Sequence, residues 1–393
     1  MSVYSKSGTE LEALYDISGD SLESAYDIAE NEVFSAGGSS GDYDKWDTDY
    51  QHKILQARDQ WAEAYREDAT VIPFVVSTDQ HRRLKYSKSI YNYLALALKW
   101  SEVSCSMNLG DTCGAIYNTT DLNYMLSCFG NIPKNKQINV AGNHDQQTSK
   151  DEGSSYAYKA IDNDTFTVLQ NTYFDNSQYD DGTTNVRYGN RGNEYVIDKA
   201  HGIKWCIFTT WYYNDNGQVY YDPQLSSEAA DAWISMLSAN DGYDIIILSH
   251  ITPYYHTQWN IPAVDGNEAS VKEGARDTIH KIQPRNQINV MLADRKAKRA
   301  GSIVDYDGNI HTYDFSGCTS DILCTFAGHS HADGYQYSAD GNVPCVVLDA
   351  MGYDAHPIYL VNVDRTNEKV DVWKVGDDST IYTYSVPFTE QSA

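Results

Sequence analysis

Five apolar runs of this chain each end in side chains that bind metal ions. The polar groups that follow the runs are Asp79-Gln80-His81, Gly110-Asp111, Gly142-Asn143-His144-Asp145, His250 and Gly328-His329-Ser330-His331. An apolar run that stops at a polar cluster is typical of a buried strand whose carboxyl end reaches a site. Five such strands would bring Asp, Asn and His to one sheet edge and form a centre for two metal ions. Such a centre activates water for attack on phosphorus.

The types of these side chains restrict the metal. Asp79 and His81 are one residue apart, so on an extended strand end they would point to the same side. His329 and His331 repeat this spacing, so each could serve a different ion. Carboxylate combined with imidazole suits Mn, Fe or Zn, whereas Mg and Ca prefer oxygen ligands. We therefore expect a cofactor of two divalent or trivalent ions of Mn, Fe or Zn.

The motifs D-x-H, GD, GNHD, a lone His and GHxH, in this order, resemble those of the calcineurin-like metallophosphoesterase family. The resemblance covers about residues 70 to 350. It implies a four-layer αββα sandwich, in which two mixed β-sheets are flanked by helices. One departure is Gly110-Asp111-Thr112-Cys113-Gly114, where many members read GDxxD or GDxxE. The missing acidic residue is not usually a ligand, so we expect intact metal binding with different neighbouring side chains.

The resemblance also implies a role for each side chain. Seven would hold the ions: Asp79, His81 and His331 the first, Asn143, His250 and His329 the second, and Asp111 both. A hydroxide that bridges the ions would attack phosphorus. His144 would then protonate the leaving group, and Asp145 would orient the His144 ring. Judged alone, each residue could instead be a buried, hydrogen-bonded polar group.

Other residues near the motifs have less specific signals. Arg82 could contact phosphate oxygens, although a plain surface arginine is the alternative. His256 could line the pocket, or it could be a loop histidine without a role. Asp145 could also cap a helix that begins at Gln146. The basic run 281–299 could guide an anionic substrate, although a solvated helix face is the favoured interpretation.

Strands and helices are needed to bring the motifs together. Apolar runs alternate with helical patterns from residue 71 onward, and consecutive strands follow after residue 320. This order favours a mixed α/β chain with two stacked sheets and helices outside them. An amphipathic helix docked on this domain is predicted where apolar residues recur at steps of three and four: Trp46, Tyr50, Ile54, Ala57, Trp61 and Tyr65.

The N-terminal part of the chain differs from the rest. The predicted parts are a small repeat appendage in 1–36, a Gly/Ser linker in 37–43 and the catalytic domain in 44–390. Tyr4, Tyr15 and Tyr26 begin three copies of an eleven-residue repeat, and Gly8 and Gly19 suit turns between short strands. The copies could form an attachment segment or join chains into a homo-oligomer, and a flexible tether is the alternative.

The composition restricts the partners and the compartment. No run approaches the ~20 apolar residues that span a bilayer, and the first residues lack the apolar stretch of a signal peptide. We expect no membrane partner and a cytoplasmic or virion-associated protein. The net charge of −26 disfavours duplex nucleic acid. The seven cysteines form no CxxC pair, so we expect reduced thiols and no structural zinc site.

Two functions are consistent with these features. The first is hydrolysis of a phosphomonoester or phosphodiester, such as a small organic phosphate, a nucleotide or a cell-envelope phosphodiester. The segments 146–200 and 252–320 are rich in Tyr, Trp and Asn, which would suit a base or a sugar ring. The second is a virion or surface attachment protein, or a binding protein, that carries a metallophosphoesterase-like domain. The N-terminal repeats and the 32 tyrosines favour this alternative.

Overall fold

The structure of the protein is a computed structural model. It describes residues 3–4, 10–11, 48–81, 98–112, 132–150, 158–160, 175–176, 179, 186–188, 192–209, 211–213, 219–239, 241–254, 258–262, 270–273, 282, 284, 286–338, 340, 342–351, 357–376 and 381–390.

The described residues form helices and strands as follows. The α-helices are α1 Thr48–Glu67, α2 Ser227–Ser238 and α3 Gln287–Lys296. Short 3-10 helices are Lys134–Lys136 and His144–Gln146. The strands are β1 Val3–Tyr4, β2 Glu10–Leu11, β3 Val71–Ser77, β4 Cys105–Asn108, β5 Gln137–Asn139, β6 Gln147–Lys150, β7 Tyr158–Ala160, β8 Val186–Tyr188, β9 Asn193–Asp198, β10 Ile203–Phe208, β11 Trp211–Tyr213, β12 Val219–Gln224, β13 Asp244–Ser249, β14 Gln258–Ile261, β15 Ser270–Glu273, β16 Ala300–Val304, β17 Ile310–Asp314, β18 Ile322–Ala327, β19 Gly334–Tyr337, β20 Pro344–Val347, β21 Ile358–Asp364, β22 Lys369–Val375 and β23 Ile381–Pro387.

Two large sheets form the centre of the molecule. The six-stranded sheet has the order β23-β22-β21-β3-β4-β5, and its strands β3, β4 and β5 are parallel. The nine-stranded sheet has the order β15-β14-β19-β20-β18-β13-β10-β9-β8, and β10, β13, β18 and β20 are parallel. Both sheets also contain antiparallel pairs, so both are mixed.

The inner faces of the two sheets pack against each other. Phe74 on β3 lies in edge-to-face contact with Trp205 of the nine-stranded sheet, at 5.2 Å between ring centroids. Its ring lies 5.1 Å from that of Phe326 on β18. These residues belong to one buried core cluster that contains side chains from both sheets. Because neighbouring side chains on a strand point to opposite faces, Val75 faces outward instead.

Helices cover the outer faces. The predicted amphipathic helix is confirmed as α1, whose Trp61 is fully buried against the six-stranded sheet, whereas Trp46 of the predicted stripe lies outside the described residues. The Trp61 indole N–H donates to the Val361 carbonyl at 3.0 Å. On the other side, Trp233 of α2 and Met291 of α3 share a second cluster with Ile247 of β13. The four layers are therefore α, β, β and α, and the predicted fold class is confirmed.

This layering explains why the strand signals are strong in the sequence. All seven residues of β3 are buried, because one face meets the other sheet and the opposite face meets α1. The carboxyl ends of β3, β4, β5, β13 and β18 each continue directly into one of the five motifs. Two parallel sets of strands therefore present their ends to one region of the molecule.

Other parts of the structure differ from the expectation or extend it. The segment 252–320 contains the hairpins β14–β15 and β16–β17, which the sequence pattern does not indicate. In the basic run, the guanidinium of Arg295 is buried and donates to the Leu237 and Ser320 carbonyls at 2.7 and 2.9 Å. The favoured interpretation of this run as a solvated helix face is therefore wrong for Arg295, which fixes α3 against α2.

Several further expectations concern the N-terminal part, the thiols and membranes. At the first repeat, β1 pairs with β2 in antiparallel fashion, with Tyr4 opposite Glu10. The second and third copies lie outside the described residues. The described cysteines are buried and not disulfide-bonded: Cys105, Cys206, Cys318, Cys324 and Cys345. Among the described residues, no helix combines the length and the apolar character needed to cross a membrane.

Candidate metal centre

The donor atoms of the predicted ligands converge in two overlapping groups, and a third group joins His81 and Asp111 to His144. One group consists of Asp79, His81 and His331. The other consists of Asp79, Asp111, His250 and His329. Within each group, one ligand atom of every residue lies within 4.8 Å of the others. Because Asp79 belongs to both groups, they are adjacent parts of one centre that could hold metal ions.

In the first group, imidazole nitrogens surround one oxygen of Asp79. Asp79 Oδ1 lies 3.1 Å from His331 Nε2 and 3.6 Å from His81 Nε2. The two Nε2 atoms lie 3.0 Å from each other. His81 Nε2 also lies 3.7 Å from Asp111 Oδ2, which connects this group to the second carboxylate.

In the second group, His250 Nε2 is the central atom. It lies 3.2 Å from Asp111 Oδ2, 3.1 Å from Asn143 Oδ1 and 3.3 Å from His329 Nδ1. Asp79 Oδ1 is 3.8 Å away from the same nitrogen. Asp111 Oδ2 therefore lies between His81 of the first group and His250 of the second.

Each carboxylate directs one oxygen toward the imidazoles and the other toward hydrogen-bond donors. Asp79 Oδ2 accepts from the Thr78 hydroxyl at 2.6 Å and from the His329 backbone N–H at 2.7 Å. Asp111 Oδ1 accepts from the His144 backbone N–H at 2.8 Å. These bonds fix the carboxylates, so that Oδ1 of Asp79 and Oδ2 of Asp111 face the imidazole nitrogens.

The tautomer of His250 follows from its surroundings. His250 Nδ1 lies 2.8 Å from the Leu109 carbonyl oxygen, which can only accept a hydrogen bond. Nδ1 must therefore carry a proton, and the lone pair of the neutral ring lies on Nε2. Metal-bound histidines commonly donate their second N–H to a carbonyl in this way. The donor set of this centre thus fits metal ions, with imidazole and carboxylate ligands that suit Mn, Fe or Zn.

The charges of the centre favour a bound cation. Burial alone would raise the pKa of Asp79 and Asp111, but the nearby histidines, with His250 the largest contributor among them, together outweigh it and hold both pKa values well below the usual range. Burial alone would lower the pKa of His250, but the carboxylates of Asp111 and Asp79 outweigh it and raise this pKa to about 10. Positive charge at this position is therefore stabilised by the two carboxylates.

Five of the candidate ligands have a left-handed backbone conformation: Asp79, His81, Asp111, His329 and His331. Positive φ is uncommon outside glycine, and it persists where the surrounding structure holds it. β3 ends at Ser77, and the φ angles of Asp79 and His81 are 52° and 47°. The premise that these two residues continue an extended strand is therefore wrong, although their side chains meet.

Two glycines of the motifs allow this close approach. A Cβ atom at Gly142 would overlap the backbone nitrogen and the carboxylate of Asp111. A Cβ atom at Gly328 would overlap the side chains of Thr78 and Asp79. Only glycine fits at Gly142, before Asn143, and at Gly328, before His329, because any side chain there would overlap its neighbours. These two glycines of the motifs are the sequence feature that indicates the close contacts.

His144 lies at the rim of the centre. Its Nε2 is 3.9 Å from Asp111 Oδ2, and its ring meets that of His81 edge to face at 4.7 Å between centroids. The side chain of His144 is 30% exposed, whereas that of His81 is 7% exposed. His144 is therefore open to solvent beside the ligands, where a substrate could reach it.

Asp145 connects two of the loops that carry ligands. Its buried carboxylate accepts from the backbone N–H groups of Gly142 at 2.8 Å and Thr112 at 3.1 Å. Burial and the nearby charge of Asp111 raise the pKa of Asp145 to about 7. The alternative role as a helix cap is wrong, because Asp145 lies within the 3-10 helix and β6 follows. Orientation of His144 by Asp145 stays a prediction.

Two of the predicted site residues fall outside the described part of the chain. Arg82 and His256 lie outside the described residues, so their predicted contact with substrate stays a prediction. Thr78, which holds Asp79, was missed by sequence reasoning, since a threonine beside a ligand carries no distinctive pattern. Thr112, in the segment that departs from the family pattern, accepts a hydrogen bond from Asn108 Nδ2 at 2.6 Å.

No protein-family profile and no curated protein matches the chain. Among solved structures it is similar to the purple acid phosphatase PPD1 of yellow lupin, with 12% identity, a TM-score of 0.44 and coverage of 81% of this chain and 54% of that chain. It is also similar to GAP50, described as the anchor in the inner membrane complex of Plasmodium, with 10% identity, a TM-score of 0.42 and coverage of 82% and 90%.

A third similar structure is the phosphopantetheinyl hydrolase of Mycobacterium tuberculosis, with 11% identity, a TM-score of 0.37 and coverage of 72% and 91%. The chain spans about half the length of the lupin phosphatase.

Proposed function

We propose that the protein is a phosphoesterase that depends on two metal ions. The observation that carries this proposal is the position of the Asp79 and Asp111 carboxylates between two groups of imidazoles. A carboxylate between two cations partly neutralises their repulsion, so paired ions are stabilised in such a place. The order of the sequence motifs supports the same conclusion.

The residues that would hold the ions divide between the two groups. The first ion would be held by Asp79, His81 and His331, and the second by Asn143, His250 and His329, with Asp111 between them. When bound, the ions would supply a reactive hydroxide at neutral pH and would neutralise negative charge on the phosphoryl oxygens. Emission spectroscopy of the purified protein should therefore find Mn, Fe or Zn.

The chain itself would supply the proton for the leaving group. His144 is partly exposed beside the ligands, and its backbone is fixed by the N–H that donates to Asp111. An imidazole in this place can transfer a proton to the departing alkoxide oxygen, as a general acid does. Asn143 precedes it and is directed into the centre, where its amide oxygen lies near His250.

The substrate that we propose is a small phosphomonoester or phosphodiester. Two cations would give the centre a local positive charge, which attracts a phosphate in spite of the net charge of −26. Surface charges beyond ~8 Å are largely screened at physiological salt. Arg82 and His256 would contribute contacts to the substrate, and the aromatic segments would contact its organic part.

Hydrolysis assays test this proposal. The protein saturated with Mn²⁺ should hydrolyse p-nitrophenyl phosphate, its bis-ester, or both, and the activity should disappear after chelation. A matched comparison of the two esters would establish whether monoesters or diesters are preferred. Two bound ions without turnover of either ester, or of a panel of nucleotides and sugar phosphates, would contradict the proposal and favour a binding protein.

A further inference from the structure

Four residues near the loops of the candidate centre form a closed ring of ion pairs and hydrogen bonds. Lys374 Nζ lies 2.8 Å from Asp333 Oδ2 and 3.3 Å from Asp349 Oδ2. The Tyr359 hydroxyl donates to Asp333 Oδ1 at 2.8 Å and accepts from the Asp349 backbone N–H at 2.9 Å. These four residues, called the Lys374 ring below, close a circuit of charge and hydrogen bonds.

The Lys374 ring is buried and joins the two sheets. The side chains of Lys374 and Asp333 are 1% and 2% exposed, and Tyr359 is fully buried. Lys374 and Tyr359 belong to the six-stranded sheet, whereas Asp333 and Asp349 follow strands of the nine-stranded sheet. A buried ion pair is weak evidence for stability, because removal of both charges from water is unfavourable. Because the ring lies beside the loops that carry the candidate ligands, it can fix the position of those loops.

One arm of the ring leads to His331. Asp333 follows His331 by two residues, in the loop between β18 and β19. The Tyr359 hydroxyl and the Lys374 ammonium hold both oxygens of Asp333 and so fix the end of this loop. His331 in turn reaches Asp79 Oδ1 at 3.1 Å.

The other arm leads to Thr78. Asp349 precedes Met351 by two residues, and the Met351 backbone N–H donates to the Thr78 carbonyl at 2.9 Å. The Thr78 hydroxyl then donates to Asp79 Oδ2 at 2.6 Å. The two arms thus arrive at the two oxygens of the same carboxylate.

We propose that Lys374 and Tyr359 are positioning residues that hold Asp79 and His331 in the geometry needed to bind the first metal ion. This inference rests on the proposed function. Both Asp79 and His331 have left-handed backbones, which must be held by their surroundings. Loss of partners that orient ligands typically weakens metal affinity by about 10- to 100-fold.

Two variants test the ring, and neither leaves the charge of Lys374 or Asp333 buried without the other. Tyr359→Phe removes only the hydroxyl. The double variant Lys374→Met with Asp333→Asn removes one positive and one negative charge together. The matched control is Lys204→Met with Asp241→Asn, because Lys204 is also fully buried and lies 2.9 Å from Asp241 at the opposite, amino-terminal end of β10.

Equilibrium dialysis against limiting Mn²⁺, followed by emission spectroscopy, gives the number of ions that each full-length protein retains. We expect wild type and the control to retain two ions, and the Lys374 and Asp333 double variant to retain about one, since the affinity of the first group falls about tenfold or more. Tyr359→Phe should weaken the same ion by a smaller factor. Melting temperatures in chelator measure the purely structural loss in each variant.

Three outcomes separate the possible explanations. If both ring variants retain two ions at wild-type affinity and only their melting temperatures fall, as in the control, the ring is structural and the inference is overturned. If the double variant does not fold, the affinity of Tyr359→Phe decides the matter. If wild type itself binds no ion, both the proposed function and this inference fail. If wild type binds two ions and the ring variants bind them equally well, only this inference fails.

Discussion

Two clusters in this molecule consist of the same residue types, histidine and aspartate, but differ in how nitrogen and oxygen atoms are paired. The second cluster, called the His311 cluster below, lies between α2 and the β16–β17 hairpin. His311 Nδ1 is 2.7 Å from Asp231 Oδ1, and His311 Nε2 is 3.1 Å from Asp305 Oδ2. Each ring nitrogen therefore has its own carboxylate, whereas in the candidate centre several nitrogens surround the same oxygen.

The carboxylate of Asp305 is also matched by other donors. Its oxygens accept from the Ser227 hydroxyl and from the Asn309 side-chain and backbone N–H groups, the latter two at 2.9 and 2.8 Å. These bonds hold the pKa of Asp305 below its usual range in spite of burial. The hydrogen-bonding capacity of this carboxylate is used within the cluster, so a cation is not needed there.

In the candidate centre, by contrast, several histidine nitrogens face one carboxylate oxygen. Asp79 Oδ1 faces nitrogens of His81, His250 and His331 at 3.6, 3.8 and 3.1 Å. Its ligands have left-handed backbones, whereas no residue of the His311 cluster is among the described residues with positive φ. Residue type alone thus does not identify a metal site. The convergence of donor atoms and the left-handed backbone distinguish the candidate centre from the His311 cluster.

The largest expected effect is at Asp111, whose Oδ2 atom lies between His81 of the first group and His250 of the second. In Asp111→Asn, Mn²⁺-dependent kcat/KM should fall about 10³-fold or more, because the charge between the two groups is lost. The melting temperature in chelator should also fall, because the lowered pKa of Asp111 means that its carboxylate stabilises the metal-free fold through the nearby His250. Kinetics with p-nitrophenyl phosphate and melts in chelator measure both. Wild-type kcat/KM for Asp111→Asn at saturating Mn²⁺ would contradict the role of this carboxylate in metal binding.

A smaller loss is expected at the rim. His144→Ala should keep both ions and lose about 10²-fold or more in kcat on alkyl phosphates, because the proton for the leaving oxygen is missing. On p-nitrophenyl esters, whose leaving group needs no proton, the loss should be slight. The matched control is His311→Gln, which should keep full activity on both. Equal rates of His144→Ala and wild type on alkyl phosphates would reject the role as an acid.

The opposite pattern is expected for Asp305→Asn. This change leaves His311 without its buried charged partner and disturbs the bonds to Ser227 and Asn309. The free energy of unfolding should fall by about 2 kcal/mol, with metal content and activity unchanged. Urea denaturation and a metal assay test this. Loss of bound metal in this variant would erase the distinction between the two clusters.

The smallest effect is a pH dependence of stability at His311. Burial lowers the pKa of His311, but hydrogen bonds to Asp305 and Asp231 outweigh it, so the pKa is raised on folding. The stabilisation is therefore fully present below the unfolded pKa of roughly 6.5 and is lost as the pH rises through the folded value. His311→Gln should lower the melting temperature more at about pH 5.5 than at about pH 9. An equal difference at both would contradict this account.

The sequence predicted the parts of the fold that are buried on both faces. β3 and β13 are continuous apolar runs, because each lies between the other sheet and a helix layer. Their ends carry the motifs, so the candidate ligands could be recognised as a set. Helix α1 could also be predicted, because its apolar residues recur on the one face that packs on the six-stranded sheet.

Other features had no local signal. β16 and β17 each contain one buried residue, and their other residues are partly or fully exposed, as in a polar loop, so their hairpin was missed. The partners of Lys374 lie 25 and 41 residues away, and the sequence shows only a charge on a predicted strand. Left-handed backbone at His329 and His331 depends on bonds to distant residues, which no spacing reveals.

The position of bound ions tests the central claim most directly. Crystals of the full chain soaked in Mn²⁺ would be measured at the manganese absorption edge, where anomalous scattering locates the metal. We predict two peaks, one beside Asp79, His81 and His331 and one beside Asp111, His250 and His329. No peak among these side chains, with the protein intact and the metal in excess, would contradict the account.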